Sequence, residues 1–157
     1  MLRLYLAGAD INFILRQVDP SWSYDYGCLT GRIKLPIGAI TLVAVPSVVE
    51  DFLVLSLPLD RIKGDITRGL FGTVAKMLWG TLQEQIYKRA RVMLARIGLP
   101  MDTVEVEKVG GNGQIRVSLY RLNEWLARTY RFKSLKLFVQ QLSFFESGAE
   151  VTVGLFR

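Results

Sequence analysis

The feature that most constrains the fold of this chain is an uninterrupted run of helical periodicity between residues 65 and 98. Apolar residues recur there every three or four positions with no proline between them, which is the spacing of one face of an α-helix. The members of this row are Ile66, Leu70, Val74, Leu78, Leu82, Ile86, Ala90, Met93 and Ile97. Asp65 is suited to cap the start of the helix, and Gly98 followed by Pro100 is suited to its end. At 1.5 Å per residue such a helix would be about 50 Å long, which exceeds the diameter of an ordinary compact domain of this size.

Two segments ahead of this helix, residues 39–45 and 52–59, are predicted to be strands that are apolar on both faces. In the first, Ile40 and Leu42 lie on one face and Val43 lies on the other. A strand that is apolar on both faces must be covered on both. The cover can be a helix, a second sheet, a partner subunit, an apolar ligand or a membrane, and the pattern leaves these alternatives open.

The remaining elements are short. The sequence predicts helices at residues 9–17 and 120–130, a loop at 18–28, three strands within 29–62, a hairpin at 102–119 and two strands within 132–157. The hairpin turns at Gly110-Gly111-Asn112-Gly113, because Asn-Gly is a strong turn signal.

The two short helices carry similar sequences. Ile11-Asn12-x-x-Leu15 in the first resembles Leu122-Asn123-x-x-Leu126 in the second. Each is followed by a predicted strand pair. We therefore predict an internal echo, a short helix plus a hairpin, at residues 9–45 and 120–157 of a single domain that spans residues 1–157.

The residues that are absent argue against catalysis. The chain has no histidine and one cysteine, Cys28, which removes the commonest general base and any zinc site built from cysteine and histidine. Acidic pairs occur, but their positions suit turns and the polar face of a hairpin. No nucleophile elbow or phosphate loop is present. We expect a protein that is not an enzyme and that needs neither a cofactor nor a metal.

The charge balance indicates an anionic partner. Twenty Lys and Arg oppose fourteen Asp and Glu, a net charge of +6. Four cations cluster on the last third of the long helix, namely Lys88, Arg89, Arg91 and Arg96. They suit an anionic membrane surface or, as a weaker alternative, nucleic acid. Cations near a helix C-terminus are also favoured by the helix dipole alone.

No segment has the pattern of an export signal or a membrane span. The apolar N-terminus stops at Asp10, and the apolar region 35–59 is interrupted by Pro36, Pro46 and Pro58, whereas a span needs about twenty apolar residues. We expect a cytoplasmic, membrane-peripheral protein, or a periplasmic one if a leader has been removed.

The order of elements, together with the Ile11-Asn12-x-x-Leu15 opening, resembles the small bacterial members of the tubular lipid-binding (TULIP) superfamily. This resemblance covers nearly the whole chain in layout. It implies an α+β fold in which a strongly curved antiparallel sheet wraps around one long helix, with two short helices beside it. In that family the roll encloses an apolar tunnel that holds a lipid or another hydrophobic molecule.

The expected function is non-enzymatic binding of a lipid or other hydrophobic ligand at or near a membrane surface. Candidate ligand contacts are inward apolar side chains, namely Ile40, Leu42, Leu53, Leu55, Met77, Trp79, Phe138 and Phe144. Plain core packing is the alternative interpretation of each of them, and it is the commoner reason for a buried apolar side chain. The alternatives are a structural subunit or homo-oligomer that uses an apolar sheet face as an interface, and nucleic-acid binding through the basic helix end.

Overall fold

The chain folds into an α+β structure in which antiparallel sheets pack with helices. The computed structural model describes residues 1–35, 38–64, 79–132 and 135–156. Within these ranges the helices are α1 (Gly8–Val18), α2 (Trp79–Ile97) and α3 (Leu119–Thr129). The predicted α+β class and the two predicted short helices are confirmed.

The strands form two antiparallel sheets. The small sheet has the order β1-β11-β10-β9 and the large sheet the order β2-β3-β4-β5-β8-β7, with β6 paired to β4. The strands are β1 (Leu2–Ala7), β2 (Trp22–Asp25), β3 (Cys28–Leu35), β4 (Gly38–Val49), β5 (Phe52–Pro58), β6 (Lys63–Gly64), β7 (Val104–Val109), β8 (Asn112–Ser118), β9 (Arg131–Phe132), β10 (Leu135–Phe145) and β11 (Gly148–Phe156).

The inner face of the large sheet supplies half of the core. Alternation along β4 places Ile40, Leu42 and Ala44 on this face, and all three are buried. Leu57 on β5 lies on the same face and is also fully buried. Burial of each large aliphatic side chain stabilises the fold by about 1.5–3 kcal/mol.

Helix α2 supplies the other half of the core. Its buried residues are Trp79, Leu82, Ile86 and Leu94, which recur every three, four or eight positions and so form one stripe. The helix ends as predicted, because Gly98 adopts a φ of 79° and the N–H of Leu99 donates to the carbonyl of Leu94 at 3.0 Å. That is a Schellman-type cap. The predicted helix is confirmed over 79–97; its first part, residues 65–78, lies outside the described residues.

The predicted loop at 18–28 is wrong at residues 22–25, which form β2. Tyr26 and Gly27 both have positive φ values, 50° and 76°, and they join β2 to β3 through a two-residue turn of the type that favours hairpins. The sequence gives no strong signal for this hairpin, because the first turn residue is Tyr rather than Asn or Asp. Strand β1 was also missed, since it becomes a strand only by pairing with β11 at the far end of the chain.

Asn12 and Asn123, the asparagines of the predicted echo, make the same pair of hydrogen bonds. The Asn12 amide accepts from the N–H of Tyr24 at 2.6 Å and donates to its carbonyl at 2.9 Å. The Asn123 amide accepts from the N–H of Val139 at 2.7 Å and donates to its carbonyl at 3.0 Å. Each side chain thus binds a strand as a neighbouring strand would, which covers an edge and fixes a helix against it.

Tyr24 also joins the two sheets. Its side chain is 3% exposed, and its hydroxyl donates to the carbonyls of Phe145 and Gly148 at 2.6 and 3.1 Å. Burial raises the pKa of this phenol above its usual value of 10.0, although the hydrogen bond to Phe145 opposes the shift. The edge of the large sheet is therefore tied to the β10–β11 hairpin of the small sheet.

We predict that Asn12→Leu and Asn123→Leu each lower the free energy of unfolding by about 1–3 kcal/mol, because both leave a strand N–H and carbonyl without partners. Urea denaturation measures the change. Gln140→Leu is the control, since Gln140 is exposed on β10 beside Val139 and its loss should cost less than about 0.5 kcal/mol. Equal, small effects at all three positions would contradict the proposed role of the two amides.

Candidate ligand-binding site

An apolar cavity of about 260 Å³ lies between α2 and the inner face of the large sheet. Residues from α1, α2 and strands β2, β3, β5, β7 and β8 line it, and Asp19 and Arg89 are its charged members. The apolar lining consists of Leu15, Val18, Trp22, Leu29, Ile33, Leu55, Ile86, Ala90, Met93, Leu94, Val104, Ile115 and Val117. The site is an apolar chamber with one polar end.

The cavity exists because a small residue interrupts the stripe of α2. Leu82, Ile86, Ala90 and Leu94 follow one another at intervals of four, so they lie along one side of the helix. Three of them are large and buried, whereas Ala90 has a single methyl group where a fourth large side chain would meet the sheet. The missing volume at Ala90 is part of the cavity.

Close packing at one end of the cavity is set by a glycine of β3. The indole of Trp22 lies directly against Gly31, so that a Cβ atom at this position would clash with the ring. A side chain at Gly31 would therefore displace Trp22 from the cavity wall. Leu15 and Val18 of α1 complete this end, and α1 is held there by the Asn12 amide on Tyr24.

The polar end of the cavity is a hydrogen-bonded group centred on Arg89. Its Nη1 donates to Ser21 Oγ at 3.0 Å and to the carbonyl of Arg32 at 3.2 Å, and it lies 3.5 Å from Asp19 Oδ2. Ser21 in turn donates to Asp19 Oδ1 from both its N–H and its hydroxyl, at 3.0 and 2.6 Å. One guanidinium therefore links α2, the loop after α1 and strand β3 at the mouth of the cavity.

Asp19 is held in its charged form. Burial by itself would raise the pKa of this carboxyl, but the hydrogen bonds from Ser21 and the charges of Arg89 and Arg96 outweigh it. The pKa therefore lies below its ordinary value of 3.8. The Asp19–Arg89 pair stays ionised at neutral pH.

A second, more open depression of about 470 Å³ continues outward from the mouth. We call it the basic groove, because Lys34, Lys88, Arg89 and Arg96 line it, and Asp19 is the one acid among its described lining residues. It shares Val18, Asp19, Arg89 and Met93 with the cavity. The apolar chamber and the basic groove are thus adjoining parts of one site.

The structure disperses the apolar residues that the sequence predicts as ligand contacts. Leu55 lines the cavity. Ile40, Leu42 and Trp79 are buried in the packed part of the core, and Leu53 is half-buried on β5. Phe138 and Phe144 lie on the small sheet, on opposite faces. Met77 lies outside the described residues.

The predicted cations of α2 divide between two sides of the helix. Lys88, Arg89 and Arg96 line the basic groove. Arg91 lies on a different depression with Gly80, Gln83 and Tyr87, to which Lys88 also contributes.

Several lining residues were not predicted from the sequence. Trp22 and Asp19 belong to the segment interpreted as a loop, where Asp19-Pro20-Ser21 indicates only a turn. Ala90 and Met93 were interpreted as ordinary members of the helical stripe. The one usable signal was the small residue at 90 within a row of large ones.

The small sheet has its own apolar face, separate from this cavity. Register places twelve apolar side chains there: Leu2, Leu4, Leu6, Leu135, Leu137, Val139, Leu142, Phe144, Ala149, Val151, Val153 and Leu155. Leu2, Leu4 and Leu155 are exposed at 58%, 42% and 58%. The opposite face is mixed, with Arg3 and Glu150 forming an ion pair at 3.4 Å.

Comparison with known proteins gives no relative for this chain. No protein-family model, no curated protein and no solved structure matches it. The resemblance to the TULIP superfamily therefore stays a prediction. Over the described ranges, no helix has the length and apolarity needed to cross a membrane, and no group of His, Cys, Asp and Glu side chains is arranged to hold a metal ion.

We predict that Asp19→Asn lowers the free energy of unfolding near neutral pH. The difference in this free energy between variant and wild type should become smaller as the pH is lowered. Because the folded pKa of Asp19 is lowered, its contribution is present above the unfolded pKa and is lost as pH falls through the folded pKa, that is, progressively below about pH 5. Urea denaturation over a pH series measures it. Asp60→Asn, at an exposed carboxyl, is the control. If the loss in the free energy of unfolding caused by Asp19→Asn is the same at every pH, the charge of Asp19 does not have the proposed role.

Proposed function

We propose that this protein is a non-enzymatic binder of a lipid or another hydrophobic ligand, and that the ligand occupies the cavity beneath α2. The observation that carries the proposal is the chemistry of the cavity wall, whose described residues are all apolar except Asp19 and Arg89 at one end. Ligand pockets are typically apolar chambers with a few placed polar groups that fix orientation. An apolar cavity of this kind takes up an apolar guest in preference to water.

The finer architecture is part of the same proposal. We infer that residues 65–98 form one long helix, and that the sheets curve around it as in the TULIP superfamily. Support comes from the packing of α2 along the inner face of the large sheet and from the Tyr24 hydroxyl, which ties the two sheets together. In that arrangement the cavity would lie between the long helix and the sheet that curves around it.

The cations of α2 suggest where the ligand is exchanged. Lys88 and Arg96 are exposed, and each Lys or Arg near an anionic surface contributes about 1 kcal/mol to binding, screened by salt. We propose that the basic side of α2 docks transiently on anionic membranes.

This docking predicts greater recovery of the protein on anionic than on neutral vesicles in a flotation assay. The difference should shrink from low to physiological salt because the interaction is screened. Equal recovery on both vesicle types would contradict the membrane role. Tight, salt-sensitive binding to oligonucleotides instead would favour the nucleic-acid alternative.

A second function has its own structural support. The apolar face of the small sheet exposes Leu2, Leu4 and Leu155, and exposed apolar patches often mark protein interfaces. In this alternative the protein is an interaction subunit that buries the face against a partner or a second copy. It is distinguished by a stable dimer that retains no ligand.

Substitutions that fill the cavity should affect ligand uptake and the free energy of unfolding in different ways. We predict that Leu55→Trp, and independently Ala90→Leu, keep or raise the free energy of unfolding, by up to about 2 kcal/mol for a filled cavity, while uptake of a fluorescent fatty acid is lost. The reason is that each added side chain occupies the space that the ligand needs. Thermal melts and fluorescence titration on the same samples measure both.

Each variant has a matched control on its own element. Leu57→Trp makes the same substitution on the same face of β5 at a fully buried residue outside the cavity, where overpacking costs about 1–3 kcal/mol. Ala95→Leu adds the same side chain on the exposed side of α2 and should change neither quantity. A large loss in the free energy of unfolding of Leu55→Trp and Ala90→Leu would show that the core is solid at these positions. Normal uptake of the fatty acid by both variants would show that the ligand does not bind in this cavity.

A further inference from the structure

The basic groove carries unpaired positive charge at the mouth of the cavity. Arg89 is compensated by Asp19 at 3.5 Å. Lys34, Lys88 and Arg96 are exposed, and they take part in none of the ion pairs of the described residues. With Asp19 matched to Arg89, the groove keeps three positive charges.

These charges lie at one end of an apolar chamber. Because the groove and the cavity share Val18 and Met93 as well as the Asp19–Arg89 pair, an apolar chain in the cavity would emerge beside the three cations. A ligand with a neutral head would leave these three cations without an ionic partner. A head with negative charge would form charge-assisted contacts that stay partly in water, so little desolvation opposes them.

The cavity volume limits the chain. An apolar cavity of about 150 Å³ is large enough to hold benzene, with six carbons. In proportion, 260 Å³ accommodates about ten carbons. A single medium-length chain fits, whereas the two long chains of a membrane phospholipid do not fit within this space.

We infer that the ligand is a single-chain amphiphile with an anionic head, whose chain of about ten carbons fills the cavity beneath α2 and whose head is bound by Lys34, Lys88 and Arg96 in the basic groove. This inference rests on the proposed function, and it adds the chemistry of the head, its place and the length of the chain. The Asp19–Arg89 pair has a positioning role, because it fixes α2 against the loop that forms the mouth.

The test compares two ligands that have the same chain length and different head groups. Decanoate and decanol are titrated calorimetrically into the full chain below their aggregation concentrations. Three exposed ion pairs predict that decanoate binds about tenfold more tightly than decanol. In the variant Lys34→Gln/Lys88→Gln/Arg96→Gln, decanoate should fall to within about twofold of decanol, and decanol should bind as it does to wild type.

A second triple variant controls for net charge. Arg61→Gln/Arg91→Gln/Lys108→Gln removes the same charge at exposed residues outside the groove and should keep the preference for decanoate. If it loses as much affinity as the groove variant, the effect is long-range attraction and the head site is wrong. If wild type binds decanoate and decanol equally, the anionic head is wrong while the proposed function survives. If it binds neither, the proposed function fails as well.

Chain length tests the cavity itself. From hexanoate to decanoate each added methylene should tighten binding about fourfold, as expected for a fully buried CH₂ group. Beyond about ten to twelve carbons the gain should stop, because the cavity is full. Acetate should not bind measurably. A gain that continues unchanged to sixteen carbons would contradict the limit set by the cavity, and binding of acetate as tightly as decanoate would contradict a role for the chain.

Discussion

The packing of one stripe of α2 on the inner face of the large sheet determines the rest of this structure. Leu82, Ile86 and Leu94 must be buried, and the inner face of the large sheet, which approaches the helix through β3 and β7, provides the surface that buries them. This contact fixes the rotation of the helix. It places Ala90 over the sheet, which leaves the cavity, and it sets Arg89 and Met93 at the boundary between the core and the basic groove. Cavity, mouth and groove are consequences of one helix register.

A second constraint is the need to satisfy the edges of the sheets. Three amide side chains from the helices bind exposed strand edges. Asn12 binds β2 and Asn123 binds β10, and Gln83 donates to the Val106 carbonyl of β7 at 2.7 Å. A covered edge cannot recruit a foreign strand. The Asn12 contact has a further effect, because it holds α1 where Leu15 and Val18 close one end of the cavity. A device for edge protection thereby also shapes the candidate site.

The sequence predicted those parts of the fold that depend on local pattern. The helical stripe over residues 79–97, its end at Gly98, the hairpin at Gly110–Gly113 and the two short helices follow from periodicity and turn chemistry. Strand β1 did not, because it pairs with β11, which is distant in sequence. Of the seven predicted ligand contacts that lie within the described residues, Leu55 alone lines the cavity. An apolar residue that lines a cavity and one that fills the core have the same pattern, and three-dimensional packing decides between them.

The charged part of the site shows the same limit. The cluster of cations on α2 was visible in the sequence, but its division was not, because Lys88 and Arg96 share the groove with Lys34 of β3 while Arg91 lies elsewhere. In the sequence Asp19 has the pattern of a turn residue. Its place in the polar end of the cavity depends on its contacts with Ser21 and Arg89, which only the fold brings together. Sequence therefore predicted the kinds of residues involved, whereas the fold determines which of them act together.

The central claim is that the cavity beneath α2 is occupied by a ligand in the working protein. Native mass spectrometry of protein purified without detergent, beside the Ala90→Leu variant, tests it most directly. We expect one adduct per chain on the wild-type protein, with the mass of a single-chain amphiphile, and none on the variant. A bare wild-type chain under the gentlest conditions, or an adduct that Ala90→Leu retains in full, would contradict it.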